Sequence, residues 1–225
     1  MPKLLTVKTP PSLNRIAYEA LRDSILNGHL RSGELYSEMA LASELGISRT
    51  PVREALLELS VQGLVTFLPR KGVIINHFTE RDVEEIFEVR KAIELAVVEM
   101  LAKKYEPEDL SAIEKTLIEQ RKAAQKKNYS LFLQADRDFH TLLARLTNNR
   151  RLIAILDNIR DMIQLMGLQA LSQEGRLDEV IAEHEQIIEA LKQTNPEEAR
   201  ERMDRHLDRS RKAVLEQETA QSSQT

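Results

Sequence analysis

Four side chains attract attention because they interrupt otherwise apolar helical stripes. Asp136 and His140 lie four residues apart, on the same side of a helix as Phe132, Phe139 and Leu143, so a carboxylate and an imidazole face inward together. His184 falls in the middle of a stripe traced by Leu177, Val180, Ile181, Ile187, Ile188 and Leu191, and His206 falls in another traced by Ala199, Met203, Leu207 and Val214. A single inward histidine is more often a hydrogen-bonded core residue than a ligand. Four such groups in one bundle change that balance, because a buried carboxylate without a partner is costly. Asp136 and His140 can share one cation, and imidazoles from two further helices complete a set of one oxygen and three nitrogens. That set suits Zn²⁺ or Ni²⁺, with Mn²⁺ less favoured, and leaves positions for water or the carboxylate of a small ligand.

A fifth candidate is Arg90, which shares an apolar face with Val83, Ile86, Phe87, Ile93, Val97 and Glu94. It reads equally as an internal ion pair with Glu94 at i, i+4 or as a guanidinium that clamps a bound carboxylate. Three histidines and an aspartate with open positions would also allow a metal-dependent hydrolytic enzyme. Against this, His184-Glu185 is not followed by a second histidine four residues on, and no Glu-x-x-His pair occurs. A purely structural metal is the third alternative.

A second chemistry lies nearer the start, in Leu41 to Leu64. Leu41 and Leu45 are expected to be buried in a short helix, Gly46 to end it at positive φ, and Ile47 to pack in the angle before the next helix. Ser48 is expected to cap that second helix with its hydroxyl, with Pro51 harmless in the first turn. Val52, Leu56 and Leu59 then mark its buried side, which leaves Arg49, Thr50 and Arg53 on the wet side. Two cations and a hydroxyl at the exposed start of such a helix suit the DNA major groove, where arginine pairs with guanine or neutralises phosphate. Exposed arginines alone are usually solvated charges.

The elements around these residues support the reading. Leu13 to Asn27 forms a bracing helix whose face is Ile16, Ala17, Ala20, Leu21, Ser24 and Ile25, closed by Gly28. Val65 to Ile75 reads as a β-hairpin turning at Pro69 to Gly72, with Arg70 and Lys71 at its basic tip, able to reach backbone or minor groove. Three helices and this hairpin make a winged helix-turn-helix. Beyond a short link at Asn76 to Thr79 only helix is expected: about six helices, the first opened by Thr79 with Asp82 and running to about Lys104. Pro107, Asn128, Asn148-Asn149, Gly175 and Asn195-Pro196 punctuate them, and their amphipathic faces require a bundle. The fold class is therefore mainly α, with a small β-hairpin wing in the first domain and an all-α second domain.

The chain of 225 residues has no cysteine, which excludes disulfides, thiolate metal sites and cysteine nucleophiles. Net charge is −4, but residues 1–78 hold nine Lys and Arg against seven Asp and Glu, so the surplus of positive charge lies with the helix-turn-helix. No apolar run reaches membrane-spanning length and Met1 to Lys8 lacks a signal-peptide core; a cytoplasmic protein without membrane contact is expected.

The run Gly-Ile-Ser-Arg-Thr-Pro-Val-Arg-Glu-Ala-Leu, with Leu-Arg-Asp-Ser-Ile-Leu-Asn-Gly upstream and Gly-Leu-Val downstream, resembles the GntR family of bacterial transcription regulators over roughly residues 13 to 76. The resemblance implies that Arg49, Thr50 and Arg53 contact DNA. Met39 stands where several members carry a DNA-reading arginine, so their operators are not transferred here. Asp136-Arg-Asp-Phe-His140, Glu183-His184-Glu-Gln-Ile-Ile and Met203-Asp-Arg-His206-Leu resemble the metal-binding version of the FadR C-terminal domain, over about residues 80 to 215. That implies a homodimeric regulator of a double-stranded DNA operator, with a metal at Asp136, His140, His184 and His206 and a small carboxylate effector reached by Arg90. The expected divisions are a flexible segment over 1–12, the DNA-binding domain over 13–76, the effector and dimerisation domain over 80–217, and a disordered tail over 218–225.

Overall fold

The computed structural model describes residues 11–104, 110–171 and 175–222. The chain divides into two compact units, Met1–His77 and Phe78–Thr225. Most of the 1–12 segment and the final 223–225, on which flexibility was expected, fall outside the described residues, as does the break expected at Pro107.

In the first unit α1 (Leu13–Leu26) packs on α3 (Arg49–Val61), with α2 (Glu38–Glu44) leaning on α3 as well. Ala17, Leu21 and Ile25 of α1 and Val52, Leu56 and Leu59 of α3 are buried. Ile16, expected on that face, is 45% exposed. At about 100° per residue it lies almost opposite the arc from Ala17 through Leu21 to Ile25, whereas Tyr18 falls beside that arc. Tyr18 is buried and donates its phenol hydrogen to Gln62 Oε1 at 2.9 Å.

The turn between α2 and α3 forms as the glycine requires: Gly46 has φ +66°, and Ile47 N–H donates to Ala42 C=O at 3.1 Å, closing the helix end. Leu41 is buried, but Leu45 and Ile47 are only half-buried, because both sit in the reversal and not along the packed stripe. Ser48 occupies the N-cap position with extended backbone, yet its hydroxyl makes no capping bond. Ser37 does cap α2, accepting from Met39 N–H at 3.2 Å.

Strands β2 (Val65–Leu68) and β3 (Gly72–Ile75) form the hairpin, in the register Val65 opposite Ile75 and Leu68 opposite Gly72. A further strand, β1 (Leu35–Tyr36), pairs antiparallel with the other edge of β3, giving the order β1-β3-β2. Two residues are too few for an alternating pattern, so β1 was not foreseen. Gly72 makes the junction possible. A Cβ there would lie 2.2 Å from the Tyr36 carbonyl oxygen, and its φ of +133° disfavours any L side chain.

The second unit contains six helices among the described residues: α4 (Glu80–Ala102), α5 (Ser111–Gln125), α6 (Tyr129–Leu146), α7 (Arg150–Ala170), α8 (Arg176–Lys192) and α9 (Pro196–Ser222). A reciprocal capping box opens α4: Thr79 accepts from Asp82 N–H, and Asp82 Oδ2 accepts from Thr79 N–H at 2.8 Å. α4 pairs with α9, α5 with α6, α6 with α7, and α8 with α9. Phe139, Leu143, Ile187, Leu191, Met203 and Leu207 share one core that extends to Val98 of α4 and Ile113 of α5. α9 continues through Ser222, so residues 218–222 are helical where a disordered tail was expected. From Glu216 on it carries no large apolar residue, which hides a helix from a reading based on stripes.

Candidate metal centre and DNA-binding face

In the second unit, α6 carries Asp136 and His140 one turn apart, α8 carries His184 and α9 carries His206. The bundle brings these four together: one potential ligand atom from each lies within 4.8 Å of all the others. Ligands around a tetrahedral ion at ~2.1 Å stand ~3.4 Å apart, so the four atoms must draw inward to close on one ion. His140, His184 and His206 are buried, while Asp136 is partly open at 18% side-chain exposure and forms the accessible edge.

Two of the imidazoles are held by hydrogen bonds at their far nitrogen. His184 Nδ1 faces Gln120 Oε1 at 3.0 Å and His206 Nδ1 faces Glu183 Oε2 at 2.8 Å. Glu94 Oε2 lies 2.5 Å from His140 Nδ1, a contact too bent to count as an aligned hydrogen bond. The Nε2 atoms turn the other way: His184 Nε2 is 3.6 Å and His140 Nε2 4.0 Å from the Asp136 oxygens. Phe139 stacks on the His184 ring at 3.9 Å, fixing its plane. Fastening one imidazole nitrogen to an acceptor while presenting the other is how proteins orient metal-binding histidines.

Buried polar atoms without partners are rare because each forfeits its solvation. His184 Nε2 and His206 Nε2 are both buried and without a hydrogen-bond partner, which is the condition a cation relieves. The residues present therefore fit a metal. His140 differs, because Arg90 Nη2 lies 3.0 Å from its Nε2. One imidazole lone pair cannot serve both a guanidinium and an ion, so Arg90 must withdraw from His140 for a four-ligand set to form.

Electrostatics favour the ligand forms of these groups. Burial drives the His184 pKa well below its usual 6.5, and the neighbouring charges of His206, His140, Arg90 and Arg176 push the same way. Burial likewise lowers that of His140, with Arg90 assisting and Glu94 opposing. Burial alone would raise Glu94, but attraction to His140 and the permanent charge of Arg90 holds it well below the ordinary carboxylate range. Glu183 is drawn down to about 2: burial raises it, and hydrogen bonds from His206 and Arg176 outweigh that.

Arg90 is 4% exposed, and its Nε donates to Glu94 Oε1 at 2.8 Å, so the internal ion pair is present. It also lines two adjoining cavities beside the cluster, with Leu133, Asp136 and Ile163 as other shared walls. Gln120 and Glu183, which face the imidazoles of His184 and His206, escaped the sequence reading. The available signal was a polar residue inside an apolar stripe, as Gln120 is between Ile113, Leu117 and Ala123.

In the first unit Arg49, Thr50 and Arg53 are exposed at the start of α3, as is Ser48 just before it. Glu38, from the first turn of α2, reaches between the two arginines: Oε2 accepts from Arg49 Nε at 3.4 Å, and Oε1 lies 3.7 Å from Arg53 Nη1. Arg70 and Lys71 project from the turn of the hairpin, Arg70 with φ +63°. An open groove runs between helix and wing, walled by Met39, Arg49, Arg53, Phe67, Arg70 and Lys71. Its dominant charge is positive, and both cations of the helix stand along it.

A winged helix-turn-helix followed in one chain by a helical bundle is the organisation of a DNA-binding transcription regulator. The comparisons make this specific. Residues 13–75 match the family of bacterial regulatory proteins named gntR, and residues 85–209 match the FCD domain. The chain is 32% identical over 190 residues to the HTH-type transcriptional regulator YdhC of Bacillus subtilis (strain 168), covering 84% of this chain and 85% of that one. It is 34% identical over 189 residues to the gluconate operon transcriptional repressor of the same organism, covering 79% and 74%. Among solved structures, E. coli McbR/YncC matches with a TM-score of 0.81 at 24% identity, over 92% of this chain and 99% of that one, a likeness of fold. The protein belongs to the GntR family of transcription regulators and carries an FCD domain. These families and relatives are regulators and not enzymes, which sets the hydrolase alternative aside. Among the described residues no helix is long and apolar enough to cross a membrane.

Proposed function

We propose that this regulator binds a double-stranded DNA operator as a homodimer and responds to a small carboxylate held at a metal in its FCD domain. Arg49, Thr50 and Arg53, with Ser48 at the helix start, serve as the major-groove contacts, and Arg70 and Lys71 hold the wing to the backbone or minor groove. Asp136, His140, His184 and His206 would hold the metal. Three nitrogens and one oxygen favour Zn²⁺, with Ni²⁺ and Mn²⁺ as competitors. When bound, the ion supplies Lewis acidity toward an effector carboxylate, and Arg90, once released from His140, supplies a guanidinium for the same group. The effector shifts DNA affinity only to the extent that it binds the operator-competent form and the other form unequally.

The observation that carries the metal assignment is the pair of buried, partnerless Nε2 atoms on His184 and His206, aimed at the same place as Asp136. A relative named for a gluconate operon fits an organic acid as the class of signal. The test is fluorescence anisotropy with a genomic fragment selected by the protein, using metal-loaded and metal-stripped samples against a panel of hydroxy acids and dicarboxylates. An acid that changes DNA affinity of the loaded protein alone supports the reading. Indifference to every acid, with metal bound tightly, would make the ion structural.

A further inference from the structure

On the DNA-facing side of the first unit one large apolar side chain stands in the open. Met39, in the first turn of α2, is 72% exposed, yet it lines the same groove of about 730 Å³ as Arg49, Arg53, Arg70 and Lys71. On an ordinary surface a lone exposed methionine needs no explanation. Among these cations, on a face that sheds its water when DNA docks, it does.

Local structure fixes where Met39 stands. Ser37 caps α2 by accepting from the Met39 N–H at 3.2 Å, which holds the backbone at this position. Leu41 is buried, and at about 100° per residue Met39 lies about 160° round the helix from it, facing away from the core. Glu38, its neighbour, reaches Arg49 Nε at 3.4 Å and Arg53 Nη1 at 3.7 Å with the two oxygens of one carboxylate. The first turn of α2 is therefore set beside the first turn of α3, the end of a helix-turn-helix that contacts base edges. Leu57 lines the groove too, but it sits about 12 Å farther along α3 than Arg49.

The apolar group that projects into the major groove is the C5-methyl of thymine, while the other distinguishing groups are hydrogen-bond donors and acceptors. Arginines and a hydroxyl read donors and acceptors. An unbranched thioether with three rotatable bonds can close on a methyl whose position is only roughly set. We infer that Met39 is a specificity-determining residue that reads one thymine in each half-site through its C5-methyl. This rests on the reading of the Arg49, Thr50 and Arg53 face as the major-groove surface, and it adds a base that the arginines do not recognise.

The experiment uses the full-length protein and a duplex that it selects from a random library. Each thymine is replaced in turn by deoxyuridine, which keeps every polar group and removes only the methyl, and affinity is read by fluorescence anisotropy. For the wild-type protein one thymine per half-site is expected to respond, with about a fourfold loss for one methyl and about fifteenfold when both half-sites are changed. Met39→Ala, at an exposed site where alanine favours the helix, should bind the thymine and deoxyuridine duplexes alike, and Met39→Leu should keep most of the response. Thr50 carries the other exposed methyl at this helix end, so Thr50→Ser should retain the response whatever it does to overall affinity. No methyl-sensitive thymine, a response that persists in Met39→Ala, or one that vanishes in Thr50→Ser overturns the inference and leaves DNA binding by this face standing. Failure of the protein to select any sequence overturns both.

Discussion

Gly72 offers the sharpest test of how the head is built. In Gly72→Ala the new methyl would sit 2.2 Å from the Tyr36 carbonyl oxygen and 3.2 Å from its carbon, both backbone atoms that cannot rotate away. Relief requires β1 and β3 to part by roughly 1 Å, which stretches both ends of a two-residue pairing, Leu35 with Ile74 and Tyr36 with Val73. The φ of +133° adds about 1–3 kcal/mol of backbone strain, and losing one or two ladder bonds adds ~1 kcal/mol each, so ~2–5 kcal/mol is expected in all. Gly46→Ala is the matched control: its φ of +66° is also left-handed, but a Cβ there meets nothing within 4 Å, so it should cost only about 1–2 kcal/mol. Native-state hydrogen exchange of the full-length protein reads both, through the amides of 65–75 for Gly72→Ala and those of 41–47 for Gly46→Ala. Because Arg70 and Lys71 ride on this hairpin, Gly72→Ala should also weaken operator binding. If Gly72→Ala loses no more protection than Gly46→Ala, the close approach of β1 to the wing is not a real constraint.

Other consequences are separately checkable. His184→Ala should purify with little metal by elemental analysis, since it removes a ligand from a set of four; wild-type metal content would remove the site. Gln120→Leu keeps the bundle apolar but frees the His184 ring, and should weaken metal binding by about 10–100-fold in a competition titration with a chelator. Arg53→Ala should cost ~1–3 kcal/mol of operator affinity in a gel-shift titration with helical circular dichroism unchanged, and equal affinity would refute its place at the groove. The buried His184 has a folded pKa well below its unfolded 6.5, so the unfolded chain takes up the proton first and the metal-free protein should lose stability as pH falls through 6.5. Urea midpoints of metal-free protein should therefore drop between about pH 7.5 and about pH 5.5, and His184→Gln should flatten that slope.

How legible this protein was depends on what each feature leaves in the residue pattern. The phase of α3 follows from Val52, Leu56 and Leu59 and from Gly46 ahead of them, so the exposed flank of Arg49, Thr50 and Arg53 could be placed without coordinates. Asp136, His140, His184 and His206 were visible because each breaks an apolar stripe, and six amphipathic helices have few ways to keep such residues dry except together. What was lost lacks periodicity. β1 is two residues long, the end of α9 has no stripe, and Ser48 holds the cap position while its hydroxyl makes no capping bond. Ile16 was placed on the buried face although it lies almost opposite it, and Tyr18, which is buried, was not considered as the inward residue. The residues that steady the imidazoles were hidden for another reason: Gln120 and Glu183 matter through partners 64 and 23 residues away, a relation that helix pairing alone creates.

Glu38 gives the DNA-facing surface a property beyond shape. Its carboxylate already sits between Arg49 and Arg53 in the protein without DNA, so these two cations attract a thinner cloud of solution anions than isolated arginines would. A phosphate that recruits either arginine must first compete with a tethered anion, which weakens casual sticking to arbitrary duplex more than docking on a sequence that engages both side chains. The logarithmic fall of affinity with added salt should accordingly be shallower than the four basic side chains of helix and wing would suggest, and Glu38→Gln should steepen it while raising adhesion to unrelated DNA.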